Sequence, residues 1–154
     1  MSIGVAEVVG WLRAYAATIA EHKVELTELD SAIGDADHGT NMVRGMQAVI
    51  GKLDSAPPAA DIGGALKAVG MTLISTVGGS GGPLYGMFFM QAGSALAGVQ
   101  ELTGQHLAAA LEAGCAGVMK IGKSTTGEKT MLDALVPATE AFRGAVDGGA
   151  SLGD

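Results

Sequence analysis

The stretch LDSAIGDADHGTNMVRGM, residues 29–46, marks the place where one helical pattern ends and the next begins. Upstream of it, over residues 3–27, apolar residues recur at the three- and four-residue spacing of an amphipathic helix. These residues are Ile3, Val5, Val8, Val9, Leu12, Tyr15, Ile19 and Leu26. Within the stretch, acids and glycines replace that period, and the helical spacing returns at Asn41 and continues to Leu53. The sequence therefore predicts two helices joined by a polar loop.

Four further helices are predicted downstream, which makes six in all. Helix caps, prolines and apolar periodicity define them, and no strand-like alternation is evident. The predicted boundaries are the helix-ending Pro57 and Pro58, caps at Asp61 and Thr103, a helix over residues 84–96, and a last helix over residues 130–146 with a kink at Pro137. The sequence thus predicts an all-α fold in a single domain, residues 1–154, with its chemistry in loops at 30–41, 78–83 and 121–130.

The composition excludes several classes of protein. Of the 154 residues, 48% are hydrophobic and 16% are charged, which is the reverse of the balance in disordered chains. The net charge is −7 and the nine Lys and Arg residues do not cluster, so no nucleic-acid partner is expected. The single Cys115 excludes an internal disulfide. No apolar run approaches the ~18 residues of a membrane span, and no signal peptide is evident. A cytoplasmic protein with no membrane partner is expected.

Three carboxylates fall close together in the first loop, at Asp30, Asp35 and Asp37. Carboxylates held this close repel one another unless a cation neutralises them, and oxygen ligands suit Mg²⁺ or Ca²⁺. Because the next helix is predicted to start near Asn41, its unpaired N–H groups should face the same space and attract phosphate. The sequence therefore predicts a metal–nucleotide site. The alternative is that the three acids only cap helices and form turns.

Two other loops offer possible phosphate contacts. The segment VGGSGGPLYG, residues 77–86, provides exposed N–H groups and a Ser hydroxyl at a helix start, as phosphate-cradling loops do. The segment GVMKIGKS, residues 117–124, matches the P-loop pattern GxxxxGK[ST], but that pattern acts only between a buried strand and a helix. Here it follows a helical pattern, which favours a helix end capped by Gly122, with Lys123 near the negative end of the helix dipole.

Three blocks of the chain, taken together, resemble one known family. The blocks LDSAIGDADHGTNMVRGM, GMTLISTVGGSGGPLYGMFF and GEKTMLDAL occur in that order, and they are similar to the nucleotide-binding L subunit of bacterial dihydroxyacetone kinase. The resemblance extends from residue 1 to about residue 145. It implies a barrel of antiparallel amphipathic helices, eight in the family, with the nucleotide bound at one end.

The resemblance implies a role for each loop. Asp30, Asp35 and Asp37 would bind two Mg²⁺ ions that bridge the phosphates of ADP or ATP. No side chain is expected to act as a catalytic nucleophile, because metal and positioning would carry phosphoryl transfer. The remaining implied contacts are His38, Gly39, Thr40 and Asn41 along the nucleotide, Ser80 and Gly81 at the phosphates, and Gly122 and Met131 beside the base.

The resemblance also implies an activity and partners. The chain would be a kinase subunit that transfers phosphoryl to dihydroxyacetone held on a partner K subunit. A stand-alone L domain is similar to the phosphotransferase-system form, in which a phosphohistidine-carrying M subunit rephosphorylates bound ADP. The family also implies contact with a transcription regulator. Two alternatives are the nucleotide-binding domain of another small-metabolite or fatty-acid kinase, and a non-catalytic nucleotide-sensing module.

The number of predicted helices departs from the family pattern. Six are predicted where the family has eight, so the expectation is that the 154 residues lack the C-terminal portion of the domain. A helical barrel without two of its helices would expose a large apolar face to water.

Overall fold

The computed structural model describes residues 3–153 and confirms the all-α prediction. Within that range there are seven helices and no strand. Their bounds are α1 Val5–Glu21, α2 Lys23–Ser31, α3 His38–Ser55, α4 Ile62–Thr76, α5 Gly81–Ala95, α6 Gly104–Gly122 and α7 Leu132–Asp147. Within the described range, no helix has the length and apolar character that crossing a membrane requires.

The prediction of one helix over residues 3–27 was wrong, because that region forms two helices that meet at His22. His22 has φ −92° and ψ 13°, outside the helical region, and its ring lies 2.7 Å from a carboxylate oxygen of Glu25. α1 buries Val8 and Leu12, whereas α2 has no fully buried residue. The polar run around His22 therefore makes no core contact that would hold the chain on the axis of α1, and the helix count becomes seven.

The third helix begins earlier than its apolar pattern indicates. α3 starts at His38 rather than at Asn41. The carboxylate of Asp30 accepts hydrogen bonds from the backbone N–H groups of Asp37 at 3.0 Å and His38 at 3.3 Å. Because a helix start leaves its first N–H groups without intrahelical acceptors, these bonds stabilise the extra turn. The acidic loop thus ends directly at the helix.

Helices that follow one another from α3 onward pack side by side. α3 packs against α4, α4 against α5, α5 against α6, and α6 against α7. Short connections between contacting helices make them antiparallel neighbours. α1 packs against α3 and α4, and α2 packs against α3. The largest fully buried side chains at the centre are Leu12, Met42, Met46, Ile62, Leu73, Leu96 and Leu132.

The α4–α5 pair packs at very short range through glycines. A Cβ added at Gly63 would lie 2.5 Å from the carbonyl oxygen of Gly93, and one at Gly70 would lie 2.6 Å from that of Gly86. Only a residue without a side chain fits at these crossings. The close approach agrees with a composition that is rich in glycine and has only 4% aromatic residues.

One side of the helix assembly is open among the described residues. Among the helices of that range, α7 packs against α6 alone and does not contact α1, so the helices do not close into a ring. A groove of about 570 Å³ lies between α1, α4, α5 and α6, and Trp11, Phe88 and Leu111 are among the residues that line it. Trp11 is 52% exposed and its ring stacks on that of Tyr15. The groove therefore presents apolar side chains to water.

Candidate metal and nucleotide site

The three acids of the first loop converge. Carboxylate oxygens of Asp30, Asp35 and Asp37 all lie within 4.8 Å of one another. A Cβ at Gly34 would stand 2.1 Å from Oδ1 of Asp30, so only glycine lets the loop close around that carboxylate. Oxygen atoms from three carboxylates form the donor set that a hard divalent cation such as Mg²⁺ prefers. The residues present therefore fit a magnesium ion.

Asp30 has a second, structural task. It lies in the last turn of α2, it is half-buried, and its Oδ2 accepts the two N–H groups at the start of α3. Ala36, between the other two acids, adopts the left-handed region at φ 60°, which costs a residue with a side chain about 1–2 kcal/mol. Lys123 and Lys129, in the third loop, adopt the same region at φ 52° and 57°. Strained backbone of this kind concentrates at functional sites.

The first turn of α3 holds the four residues expected along the nucleotide. Thr40 is exposed, whereas Gly39 and Asn41 are buried. A Cβ at Gly39 would lie 2.1 Å from the carbonyl oxygen of Lys23, so this position allows α3 to approach α2 closely. Gly39 can therefore contact a ligand only through its backbone atoms. The first turn of a helix offers N–H groups without intrahelical acceptors.

The glycine-rich loop lies against this first turn. A Cβ at Gly78 would be 3.3 Å from Nδ2 of Asn41, and one at Gly81 would be 3.9 Å from the ring of His38. The His38 ring also packs against Tyr85 on α5, with 6.1 Å between the ring centroids. Burial raises the pKa of Tyr85 above its ordinary value, because a phenolate held away from water is disfavoured. Two loops that are remote in sequence therefore meet at one end of the fold.

Two features prepare the glycine-rich loop for a ligand. Gly79 has φ 63°, a left-handed conformation that glycine adopts without steric cost. Ser80 is the N-cap residue of α5 and is exposed, and its side chain makes no capping hydrogen bond. Its hydroxyl is thus available to an incoming group, next to Gly81 and the start of α5.

The third loop reaches the same end of the fold but is not a P-loop. Gly117 lies buried inside α6, which ends at Gly122. A Cβ at Gly122 would stand 3.3 Å from Leu84 in the first turn of α5, so the loop begins beside the glycine-rich loop. The prediction that Gly122 is the cap was wrong, since Lys123 takes the left-handed cap conformation with φ 52°. Met131 is the N-cap residue of α7 and is half-buried.

Sequence reasoning missed two residues that organise these loops. Asp133 accepts hydrogen bonds from the backbone N–H groups of Gly127 at 2.6 Å and Thr130 at 2.8 Å, and these bonds hold the pKa of its carboxyl below the ordinary value. Arg44 bonds both the Asn41 side chain and the end of α4. A Thr-x-x-Asp spacing at a helix start was a usable signal for Asp133, whereas no local pattern indicates Arg44.

A family model described as the DAK2 domain matches residues 32–154. This chain belongs to the DAK2 domain family. The match covers the segment between α2 and α3, with Asp35 and Asp37, and all the helices from α3 to α7. It confirms the resemblance drawn from the three sequence blocks.

Named relatives of this DAK2 protein are kinase subunits. It is 43% identical to the ADP-binding subunit DhaL of the PEP-dependent dihydroxyacetone kinase of Escherichia coli over 93% of this chain and 68% of that relative. It is 40% identical to the corresponding subunit 1 of Listeria innocua over 86% of this chain and 66% of that relative. The chain therefore spans about two thirds of the length of these relatives.

A solved structure shares the fold. The dihydroxyacetone kinase of C. freundii, in complex with AMP-PNP and Mg²⁺, superposes with a TM-score of 0.75 at 29% sequence identity. The superposition covers 88% of this DAK2 chain and 24% of the C. freundii chain. The all-α arrangement of this protein is therefore that of one part of a larger kinase.

Proposed function

We propose that this chain is the nucleotide-binding subunit of a dihydroxyacetone kinase and binds ADP or ATP with magnesium. The observation that carries the proposal is the convergence of three carboxylates within 4.8 Å beside a helix start and a glycine-rich loop. Relatives named as ADP-binding subunits, and a similar structure in complex with AMP-PNP and Mg²⁺, support it.

In this proposal the acidic loop holds the metal. Asp30, Asp35 and Asp37 would hold two Mg²⁺ ions. When bound, magnesium offsets phosphate charge and orients the transferring group, so that positioning and electrostatics supply most of the rate enhancement. The loop itself contributes a fixed geometry. Gly34 lets it close tightly, and Asp30 ties it to the start of α3.

The nucleotide would lie across the three loops. The first turn of α3, His38 to Asn41, would face it with N–H groups and polar side chains. Ser80 and Gly81 would contact the phosphates, because the Ser80 hydroxyl makes no capping bond and the α5 start attracts anions. Gly122 and Met131 would border the base from the third loop, which begins beside Leu84. None of these groups needs to act as a nucleophile.

The acceptor and donor would come from other proteins. Dihydroxyacetone would be held by a partner K subunit, and a phosphohistidine-carrying M subunit would restore ATP from bound ADP. Dependence on PEP in the named relatives supports this form. Contact with a transcription regulator is a further part of the proposal.

Native mass spectrometry of the purified chain tests nucleotide and metal together. The expected species carries one ADP and two Mg²⁺ ions. Asp35→Asn should lose the adduct, because it removes a charged ligand of the proposed metal site. Asp35 is exposed, so the change leaves the packing intact. Asp54→Asn, at the other end of α3, is the matched control and should keep the adduct. An adduct that persists in Asp35→Asn would contradict the metal assignment.

Phosphoryl transfer is tested by mixing the ADP-loaded chain with dihydroxyacetone, the K subunit and the M subunit in its phosphohistidine form. Loss of phosphoryl from M and formation of phosphorylated dihydroxyacetone should require this chain and should stop in Asp35→Asn. ADP binding without any transfer would instead favour a nucleotide-sensing module.

A further inference from the structure

We propose that Arg44 is a positioning residue that fixes the acidic-loop end of α3 against the glycine-rich loop; this inference rests on the proposed function. Arg44 follows Asn41 by three residues on α3, so both side chains lie on one face of that helix. Its Nη2 donates to Oδ1 of Asn41 at 2.7 Å, and its Nε donates to the carbonyl oxygen of Thr76 at 3.0 Å. One guanidinium therefore bonds two elements that are remote in sequence.

Each acceptor lies next to a loop of the site. Asn41 is in the first turn of α3, directly after the acidic loop, and it is only 7% exposed. Thr76 is the last residue of α4, immediately before the glycine-rich loop. The last carbonyl groups of a helix lack intrahelical donors and carry partial negative charge. The arginine thus supplies a donor to the last carbonyl group of α4, at the entrance to the loop.

The contact leaves little space between the two loops. A Cβ at Gly78 would stand 3.4 Å from Oδ1 of Asn41 and 3.5 Å from Nη2 of Arg44. The glycine-rich loop therefore lies directly on the bonded pair. Next to them, a Cβ at Gly45 would lie 2.2 Å from the Val77 side chain, so α3 and α4 are already in close contact here. A change in the position of Asn41 would be transmitted to the loop expected to hold phosphate.

The geometry distinguishes a positioning role from a general stabilising role. Arg44 is exposed and outside the hydrophobic core, so its removal leaves the packing of α3 on α4 in place. Its function depends on a planar fork that reaches two acceptors in fixed directions. Lysine carries the same charge as a single rotating ammonium group and cannot reproduce that fork. A charge role and a geometric role therefore give different results for Arg44→Lys.

The first test is calorimetric titration of Mg·ADP into the 154-residue chain and its variants. Arg44→Gln and Arg44→Lys should each weaken binding about tenfold, the size of effect expected when a charge-assisted hydrogen bond is lost. Arg13→Gln is the matched control, because Arg13 pairs with Asp54 at the other end of α3. It should bind as the wild type does. Full affinity in Arg44→Lys would show that the planar guanidinium geometry is not needed. Full affinity in Arg44→Gln would show that Arg44 does not position the site.

A double-mutant cycle with Asn41→Ala measures the coupling between Arg44 and Asn41 in Mg·ADP binding. A general stabilising role of Arg44 would give no such coupling. If Arg44 acts through Asn41, the double variant should bind no more weakly than the weaker single variant. Fully additive losses would contradict the proposal. Thermal unfolding without nucleotide should give Arg44→Gln a midpoint close to that of Arg13→Gln, and a loss of helical signal in Arg44→Gln would also overturn it. A wild-type chain that bound no Mg·ADP would contradict the proposed function itself, rather than the role of Arg44 alone.

Discussion

At the scale of single residues, the acidic loop combines ligand chemistry with local folding. The sequence could predict that Asp30, Asp35 and Asp37 lie close together, because only six residues lie between the first and the last. It could not show that Asp30 also holds the start of α3, since that depends on the loop conformation. The three acids therefore contribute differently to folding, although each offers the same kind of carboxylate oxygen to a metal.

Asp30→Ala and Asp35→Ala should differ in stability. Both remove one carboxylate from the cluster, so both relieve repulsion between like charges. Only Asp30→Ala also leaves the N–H groups of Asp37 and His38 without their acceptor, which should lower the free energy of unfolding by about 1–2 kcal/mol relative to Asp35→Ala. Urea denaturation followed by circular dichroism, without metal or nucleotide, measures the difference. Equal midpoints would refute the structural role of Asp30.

Two other carboxylates should govern stability in acid. Hydrogen bonds from backbone N–H groups hold the pKa values of Asp61 and Asp133 below their ordinary 3.8. The folded state then binds fewer protons than the unfolded state, so the stabilisation is present above pH 3.8 and is lost as the pH falls below it. Thermal midpoints should fall less steeply in this range when both residues are changed to Asn, which still accepts these bonds.

The control for that titration is Glu140→Gln, which changes an exposed acid on α7. It should keep the acid dependence of the wild type. A double variant of Asp61 and Asp133 that loses stability as steeply as the wild type would show that these two groups do not set the profile.

At the scale of helices, glycines decide how closely elements approach. Gly70 lies where a Cβ would be 2.6 Å from the Gly86 carbonyl oxygen, whereas nothing lies within 4 Å of a Cβ at Gly51 in α3. Gly70→Ala should destabilise the fold by about 1–3 kcal/mol through overpacking. Gly51→Ala should stabilise it by about 0.5–1 kcal/mol, because alanine is the better helix former. Denaturant unfolding of both variants tests the contrast, and equal signs would contradict it.

Helix boundaries show where prediction from periodicity stops. Leu12, which belongs to the apolar period predicted over residues 3–27, is fully buried, because burial follows helical spacing. The pattern missed the break at His22, where no Gly or Pro interrupts the chain and only the loss of core contacts separates α1 from α2. It also placed the cap of α6 at Gly122, whereas the left-handed residue is Lys123. Tertiary geometry, rather than residue preference, decided both positions.

At the scale of the whole molecule, an open apolar groove of about 570 Å³ lies between α1, α4, α5 and α6. The dye ANS, which binds contiguous apolar surface, should fluoresce with the folded chain. Leu111→Lys, which places charge in the groove wall, should reduce that emission. Val24→Lys should not, because Val24 lies on α2 outside the groove. Equal emission from both variants would contradict the assignment of the dye to the groove.

The site as a whole could be predicted only in its local parts. The acidic loop is one segment of sequence, so its carboxylates could be grouped from spacing alone. Its contact with the glycine-rich loop, through Asn41 and Gly78, joins residues far apart in the chain and has no local signal. The Arg44 bond to Thr76 is of the same kind. The resemblance to a known family indicated that the loops belong together, and the fold shows how they meet.

The central claim is that the acidic-loop end of this chain binds ADP through magnesium. Isothermal titration of ADP in Mg²⁺ and again in EDTA tests it most directly, with Asp35→Asn and the control Asp54→Asn measured alongside. The account predicts one ADP bound per chain in Mg²⁺, no measurable binding in EDTA or in Asp35→Asn, and wild-type binding in Asp54→Asn. ADP affinity that is unchanged by EDTA and by Asp35→Asn would contradict it.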